Sequence, residues 1–257
     1  MAEKDPGRCP VRGRRRGWNL LCLLLVLAAT GPLPWVAQAA RAETLPGGWS
    51  EDGNSAWESI PGKSVRAGEA ALSVRADLPP GARATFGKEV AWRPAPGEPF
   101  FVEMQCGGPN RTSRDYREGD ARFLFRATLV FGQDRRIRGF SARVGRFFRR
   151  MVRGFPPAGA RLTYACGNGP PVGSMYRPSK EEAVFLLAAA EEGGGKVSTK
   201  RDLLADFRAA YASDPVGPVT RVLVALDRPG KEKGTVPVEG AIGMPGAAPP
   251  AAGNGPR

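Results

Sequence analysis

Three carboxylates are the candidates for acid–base chemistry in this chain of 257 residues. Glu103 lies within a predicted strand, Asp120 precedes one and Asp227 ends one. A β-sandwich can hold a glycosidase whose two carboxylates stand about 5–9 Å apart, but sequence spacing does not say which pair would meet. Acidic residues at strand ends more often form turns or ion pairs. We therefore expect a non-catalytic protein, with a carboxylate-based polysaccharide hydrolase as the alternative.

The composition excludes several other kinds of site. The chain has no histidine, which excludes a Ser-His-Asp or Cys-His nucleophile and a histidine-ligated metal. The segment from Glu191 to Lys196 lies where a phosphate-binding loop would, but it lacks the leading glycine of such a loop. Val197 also replaces the Ser or Thr that should follow the lysine. We expect no metal, no cofactor and no bound nucleotide.

Residues 1–39 have the pattern of a signal peptide. A cluster of arginines precedes the apolar run Leu20–Ala29, and Pro32 then interrupts it. The run is shorter than the ~20 residues that a membrane-spanning helix needs. We expect export to a bacterial periplasm or the cell exterior after cleavage near Ala39, with an uncleaved membrane anchor as the alternative.

The charge of the mature chain indicates the kind of partner. Cleavage would remove six of the 38 basic and two of the 25 acidic residues, which leaves a net charge of +9. A basic exported protein meets anionic lipid, lipopolysaccharide or acidic polysaccharide before it meets nucleic acid. We therefore predict an envelope glycan or an anionic lipid surface as the partner, and no nucleic acid.

Cys106 and Cys166 are the two cysteines that remain after cleavage. Each one ends an apolar segment and is followed by glycine. In an oxidising compartment an even pair of this kind favours a disulfide. Two buried thiols are the alternative.

Eight short apolar or alternating segments predict β-strands separated by Gly- and Pro-rich turns. They are Ala71–Ala76, Ala84–Trp92, Phe100–Cys106, Arg122–Phe131, Leu162–Cys166, Ala183–Ala190, Val219–Leu226 and Thr235–Ile242. The pattern favours a mainly β fold, an antiparallel β-sandwich of jelly-roll type with one or two packed helices. It divides the mature chain into an irregular N-terminal arm (40–69), a sandwich domain (70–244) and a disordered tail (245–257). Trp49 and Trp57 are expected to anchor the arm.

Two segments predict helices. Ser198 or Thr199 can cap a helix that runs to about Tyr211. A basic amphipathic helix is predicted within residues 137–153, with an aromatic stripe on one face. Its other face carries Arg138, Arg143, Arg146, Arg149 and Arg150. This helix could pack its stripe on the sandwich and leave its arginines solvated, or it could bind an anionic membrane surface or lipopolysaccharide.

Five short motifs follow one another along the mature chain: Leu45-Pro46-Gly47-Gly48-Trp49, Gly119-Asp120-Ala121-Arg122, Leu162–Cys166, Asp206–Tyr211 and Arg221–Asp227. In this order the chain resembles a bacterial family of exported proteins that is catalogued only as a domain of unknown function, number three-zero-four-seven. The chain departs from the family pattern at Ala121, where the family has a second acid. The resemblance implies an envelope protein with a β-rich domain and brings no known activity.

Together these features favour an exported, non-catalytic sandwich that binds an envelope glycan. Such domains bind sugars through aromatic and polar loop residues, and Tyr116, Tyr176 and Trp92 are candidates that could equally lie in the core. One alternative is a structural envelope protein that contacts a membrane surface through the basic helix. The other is the polysaccharide hydrolase.

Overall fold

The structure is a computed structural model that describes residues 44–51, 57–108, 122–132, 159–168, 171–191, 195–230 and 233–245. The predicted signal peptide, the predicted basic helix within 137–153 and nearly all of the predicted tail lie outside the described residues. Asp120 and Tyr116 also lie outside them.

The described residues form thirteen strands and one α-helix, together with two single turns of 3-10 helix. The elements are β1 (Thr44–Leu45), β2 (Trp49–Glu51), β3 (Ser64–Ala67), β4 (Ala71–Leu78), β5 (Arg83–Trp92), β6 (Pro99–Cys106), β7 (Arg122–Phe131), β8 (Arg161–Asn168), β9 (Met175–Tyr176), β10 (Glu182–Ala189), β11 (Val197–Asp202), α1 (Leu203–Tyr211), β12 (Val219–Asp227) and β13 (Val236–Gly243).

The strands form two sheets. The large sheet has the order β1-β2-β5-β12-β7-β8-β10-β9, and the small sheet has the order β11-β6-β13-β4-β3. The chain changes sheet at most of its connections, as in a jelly roll. The described strands pair antiparallel except for β8 and β10, which pair in parallel. The predicted mainly β fold, an antiparallel sandwich with a packed helix, is confirmed.

Alternation along the strands places one face of each sheet in a shared core. In β6, for example, Phe100, Val102 and Met104 are at most 1% exposed, whereas Glu103 points to the outer face of the small sheet. In β12, Val222, Val224 and Leu226 are buried in the same way. A single apolar cluster contains the inward residues of both sheets.

Residues 44–51 and 57–67 differ from the predicted irregular arm, because they contribute β1, β2 and β3 to the sheets. The prediction that Trp49 and Trp57 anchor this region is confirmed, since they are 0% and 5% exposed. The indole N–H of Trp49 also donates a hydrogen bond to the carbonyl of Gly68 at 3.1 Å.

The prediction that Ser198 or Thr199 caps the helix is wrong. Both residues lie in β11, and α1 begins only after it. Asp202 is the N-cap, and its Oδ1 accepts hydrogen bonds from the amides of Leu204 and Ala205 at 3.0 and 3.1 Å. An aspartate in this position satisfies two amides that the helix leaves unpaired.

Cys106 and Cys166 form the predicted disulfide, with their Cα atoms 6.2 Å apart. Cys106 ends β6 of the small sheet, and Cys166 lies in β8 of the large sheet. The bond therefore joins the two sheets covalently through the core.

Candidate functional site

A buried polar network lies where α1 meets the sheets. The hydroxyl of Tyr164 donates a hydrogen bond to Oδ2 of Asp206 at 2.7 Å, and the guanidinium of Arg201 donates to both oxygens of the same carboxylate. Burial, and then the charge of Asp206, raise the pKa of Tyr164 well above its usual range. Because these groups satisfy one another inside the protein, we interpret the network as the attachment of α1 to the sheets.

A second polar cluster lies on the outer face of the small sheet. Nζ of Lys196 is 2.5 Å from Oε1 of Glu103 on β6 and 2.9 Å from Oε1 of Glu239 on β13. Partial burial acts to lower the pKa of Lys196, but its hydrogen bonds and ion pairs with the two glutamates outweigh burial and raise that pKa. We call these three residues the Lys196 cluster. Its ammonium lies between the two carboxylates and pairs with both.

The outer face of the large sheet has a different pattern. Strand register places ten residues in two neighbouring rows across β5, β12, β7, β8 and β10, and we call them the central strip. One row is Thr85, Ala225, Arg126, Ala165 and Leu186, and the other is Gly87, Leu223, Thr128, Thr163 and Val184. Nine of the ten are uncharged, and the strip is about 19 Å long at the usual strand spacing.

The two ends of the central strip differ in accessibility. Over β8 and β10, Thr163, Ala165, Val184 and Leu186 are at most 2% exposed. Phe123 and Tyr176 pack against the apolar members of this end. Over β5, β12 and β7 the side chains are half-buried, and we call this part the open end: Thr85, Leu223, Ala225, Arg126 and Thr128.

Charged side chains lie on both sides of the central strip. Arg83 and Asp227 pair across β5 and β12 on one side. On the other side the pairs are Arg221 with Glu89 and Arg161 with Glu182. Oγ1 of Thr163 donates a hydrogen bond to Oε1 of Glu182 at 2.9 Å, and it lies 2.9 Å from Oγ1 of Thr128. Hydroxyls therefore connect the strip to one of its charged sides.

Arg126 is the charged member of the strip. Its Nη2 lies 3.4 Å from Oδ2 of Asp227, and the same oxygen is 3.1 Å from Nη2 of Arg83. Nε of Arg126 is buried and has no hydrogen-bond partner among the described residues. A guanidinium has five N–H donors, so Arg126 keeps donors that the described residues do not satisfy.

The structure separates the two described carboxylates that were candidate catalytic residues. Glu103 points outward from the small sheet, whereas Asp227 points outward from the large sheet. They lie on opposite faces of the sandwich, so they cannot act together on one bond. Glu103 is instead a neighbour of Glu239, and Asp227 is a neighbour of Arg83 and Arg126.

Strand register also separates the carboxylates of the large sheet. β12, which carries Asp227, is three strand spacings from β10, which carries Glu182. That lateral separation is about 14 Å, more than the ~9.5 Å at which an inverting glycosidase holds its pair. Glu89 pairs with Arg221, six residues along β12 from Asp227, or about 20 Å. These three carboxylates do not form a glycosidase pair.

The described aromatic candidates are engaged within the protein. The indole N–H of Trp92 donates a hydrogen bond to Glu98 at 3.1 Å, and its ring stacks on Phe100. Tyr176 packs against the buried end of the strip. Both side chains are half-buried.

Sequence reasoning missed Glu239, Lys196, Arg126 and the threonines of the strip. Alternation in β7 would have placed Arg126 and Thr128 on an outward face, but only the pairing order brings them beside Ala225 and Thr163. The five arginines predicted to bind an anionic surface lie outside the described residues.

The described part of the chain also bears on other kinds of site. A cavity of about 230 Å³ lies between Arg93 and α1, and its wall includes the ion pair of Arg208 with Asp214, 2.6 Å apart. No group of three or more acidic or cysteine side chains there could hold a metal ion. No helix within the same ranges is long and apolar enough to span a membrane.

No family model and no curated protein match the chain. Similar solved structures include endoglucanase 3 of Trichoderma harzianum from family GH12, with 11% identity over 79% of this chain and 93% of that one and a TM-score of 0.41. The xyloglucanase domain of a type three effector from Sinorhizobium fredii, in complex with cellobiose, is 9% identical over 76% and 91%, with a TM-score of 0.32. These likenesses are too distant for a residue role or an activity to be transferred. The resemblance to the family of unknown function stays a prediction.

Proposed function

We propose that the protein is an exported, non-catalytic glycan-binding sandwich, and that the open end of the central strip is its binding surface. One observation carries the proposal: small and hydroxyl side chains lie between two charged sides, beside an arginine whose donors are not all satisfied.

This surface suits a polyhydroxylated ligand. Ala225 and Thr85 leave room above the sheet, because neither side chain extends far from the backbone. Threonine hydroxyls both donate and accept hydrogen bonds, arginine only donates, and carboxylates accept. A sugar hydroxyl presents both a donor and an acceptor, so it can pair with any of these groups.

The placement of the described candidate carboxylates supports binding without cleavage. Hydrolysis of a glycosidic bond requires two carboxyl groups on either side of it. Asp227, Glu182 and Glu89 of the large sheet are too far apart, and Glu103 and Glu239 of the small sheet are joined by Lys196.

Export is supported by the disulfide, because such bonds persist in oxidising compartments. The signal peptide, its cleavage near Ala39 and the choice between periplasm and cell exterior remain predictions from the sequence.

The test replaces a small residue of the open end with a long uncharged one. In Ala225→Gln the new side chain would cover the neighbouring threonines. The matched control is Ser73→Gln, a half-buried outward position of β4 on the small sheet. Affinity electrophoresis of residues 40–257 through gels that contain xyloglucan, a soluble β-1,4-glucan, polygalacturonate or peptidoglycan fragments would measure binding.

We expect at least one glycan to retard the wild-type protein and Ser73→Gln equally, and to retard Ala225→Gln at least tenfold less. No release of reducing ends should accompany binding. Equal retardation of both variants would place the site elsewhere. Failure of every glycan to bind, together with salt-sensitive binding to anionic liposomes, would instead favour the basic helix as the functional element.

A further inference from the structure

We infer that the glycan bound at the open end of the strip is acidic, and that its carboxylates are recognised by Arg126 together with Arg83. This inference rests on the proposed function and names the class of ligand for the same surface.

The first step is the position of Arg126. Its partners in register are Ala225 on one side and Ala165 on the other, so two alanines flank it across the strands. A long cationic side chain between two short ones stands above its neighbours. About a third of the side chain, 35%, is exposed, which leaves it accessible to a ligand.

The second step is the balance of charge around it. Arg126 and Arg83 share one carboxylate, that of Asp227, and both contacts use the same oxygen. Two cations therefore face one anion at this point. On the opposite side of the strip, by contrast, Arg221 has its own partner, with Nε 3.2 Å from Oε1 of Glu89.

The third step is the unsatisfied hydrogen-bonding capacity. Asp227 engages one nitrogen of Arg126 at a long 3.4 Å, and Nε has no partner in the described part of the chain. Because Nε is buried, a ligand meets the terminal nitrogens of the guanidinium, and hydrogen bonds between charged groups are stronger than those between neutral ones. A carboxylate also matches the planar fork of a guanidinium with two parallel hydrogen bonds. A uronic acid supplies this group on a sugar ring.

The experiment uses one polymer in two charge states. Polygalacturonate and its fully methyl-esterified form have the same backbone, and esterification removes the charge and keeps the hydroxyls. Binding of both to residues 40–257 would be measured by titration calorimetry at fixed salt, with alginate as a second acidic chain. The variants are Arg126→Gln and the more exposed Arg83→Gln, and the control is Arg75→Gln on the outer face of the small sheet.

We expect the acidic polymer to bind at least tenfold more tightly than its ester. Arg126→Gln should lower affinity for the acidic form about tenfold, as expected for loss of hydrogen bonds to a charged group, and should lower affinity for the ester by a clearly smaller factor. Arg83→Gln should lower affinity for the acidic form by a smaller factor. This variant provides the test if Arg126→Gln does not fold. Arg75→Gln should have no effect.

Three outcomes would overturn the inference, and they have different consequences for the proposed function. If both polymers bound with equal affinity and Ala225→Gln abolished both, the surface would bind glycans without selecting for charge. If the acidic chains did not bind while a neutral glycan of the panel did, the ligand class would be wrong and the site would remain. If no glycan bound at all, the proposed function would fail and the inference with it.

Discussion

The two outer faces of the sandwich carry charged side chains in opposite arrangements. On the small sheet, one lysine lies between two glutamates, and the three charges satisfy one another. On the large sheet, two arginines share one aspartate, and part of the guanidinium of Arg126 has no partner among the described residues. The comparison teaches that the number of charges on a face says little about function. In the Lys196 cluster the charges are closed on one another, whereas the unsatisfied donors of the central strip are the basis of the proposed binding site.

The largest expected loss of stability comes from removing the disulfide, which lies in the core between the two faces. Cys106→Ala with Cys166→Ala removes the link between the sheets, and its loop of about 60 residues corresponds to about 4 kcal/mol in the chain-entropy model. Urea denaturation of oxidised wild type, reduced wild type and the double variant would measure this loss. A loss below about 1 kcal/mol would mean that packing alone holds the sheets together.

Lys196→Met tests the small-sheet side of the comparison, because it removes the cation of the Lys196 cluster. The substitution leaves Glu103 and Glu239 close together without their cation, so we expect a loss of about 1–2 kcal/mol at neutral pH, reduced by partial solvent exposure. The proposed glycan binding on the opposite face should be unchanged, which separates this variant from Arg126→Gln. Thermal unfolding and the calorimetric titration would measure the two effects.

The pH dependence of the same variant has a definite sign. The folded-state pKa of Lys196 is raised, so its stabilisation is fully present below the ordinary lysine pKa of about 10.4 and is lost as pH rises through the folded value. The stability difference between wild type and Lys196→Met should therefore shrink above about pH 10.4. A difference that stays constant to pH 12 would contradict the role of the ammonium.

The smallest effect is expected for Arg221→Gln, which sharpens the comparison within the large sheet. Arg221 pairs with Glu89 at 3.2 Å, but their side chains are 46% and 77% exposed. Exposed pairs of this kind contribute about 0.5 kcal/mol or less. A thermal shift as large as that of Lys196→Met would contradict this expectation. It would show that the exposed pair contributes as much to stability as the Lys196 cluster does.

The strands were the most predictable part of the molecule. Alternation in β6 and β7 and apolar runs such as β8 gave their positions within two residues, because burial of one sheet face imposes a period of two. The helix predicted from Ser198 or Thr199 covers most of β11. This strand lies at a sheet edge and has no buried residue, so it lacks the apolar alternation that predicts a strand. β9 is only two residues long, too short for any periodic signal.

The candidate site was much less predictable, because it depends on which strands become neighbours. Arg126 and Asp227 are 101 residues apart in sequence and meet only because β7 pairs with β12. The disulfide was an exception, since two cysteines allow one pairing.

The disulfide has a topological consequence for proteolysis. The chain from Cys106 to Cys166 is closed into a covalent ring by the S–S bond. A protease that cuts once inside this ring opens it but releases no fragment, so a nicked molecule would keep the mass of the intact one until a reductant is added. A cut outside the ring would separate two pieces at once. Electrophoresis with and without reductant would therefore show whether a cleavage site lies inside or outside the ring.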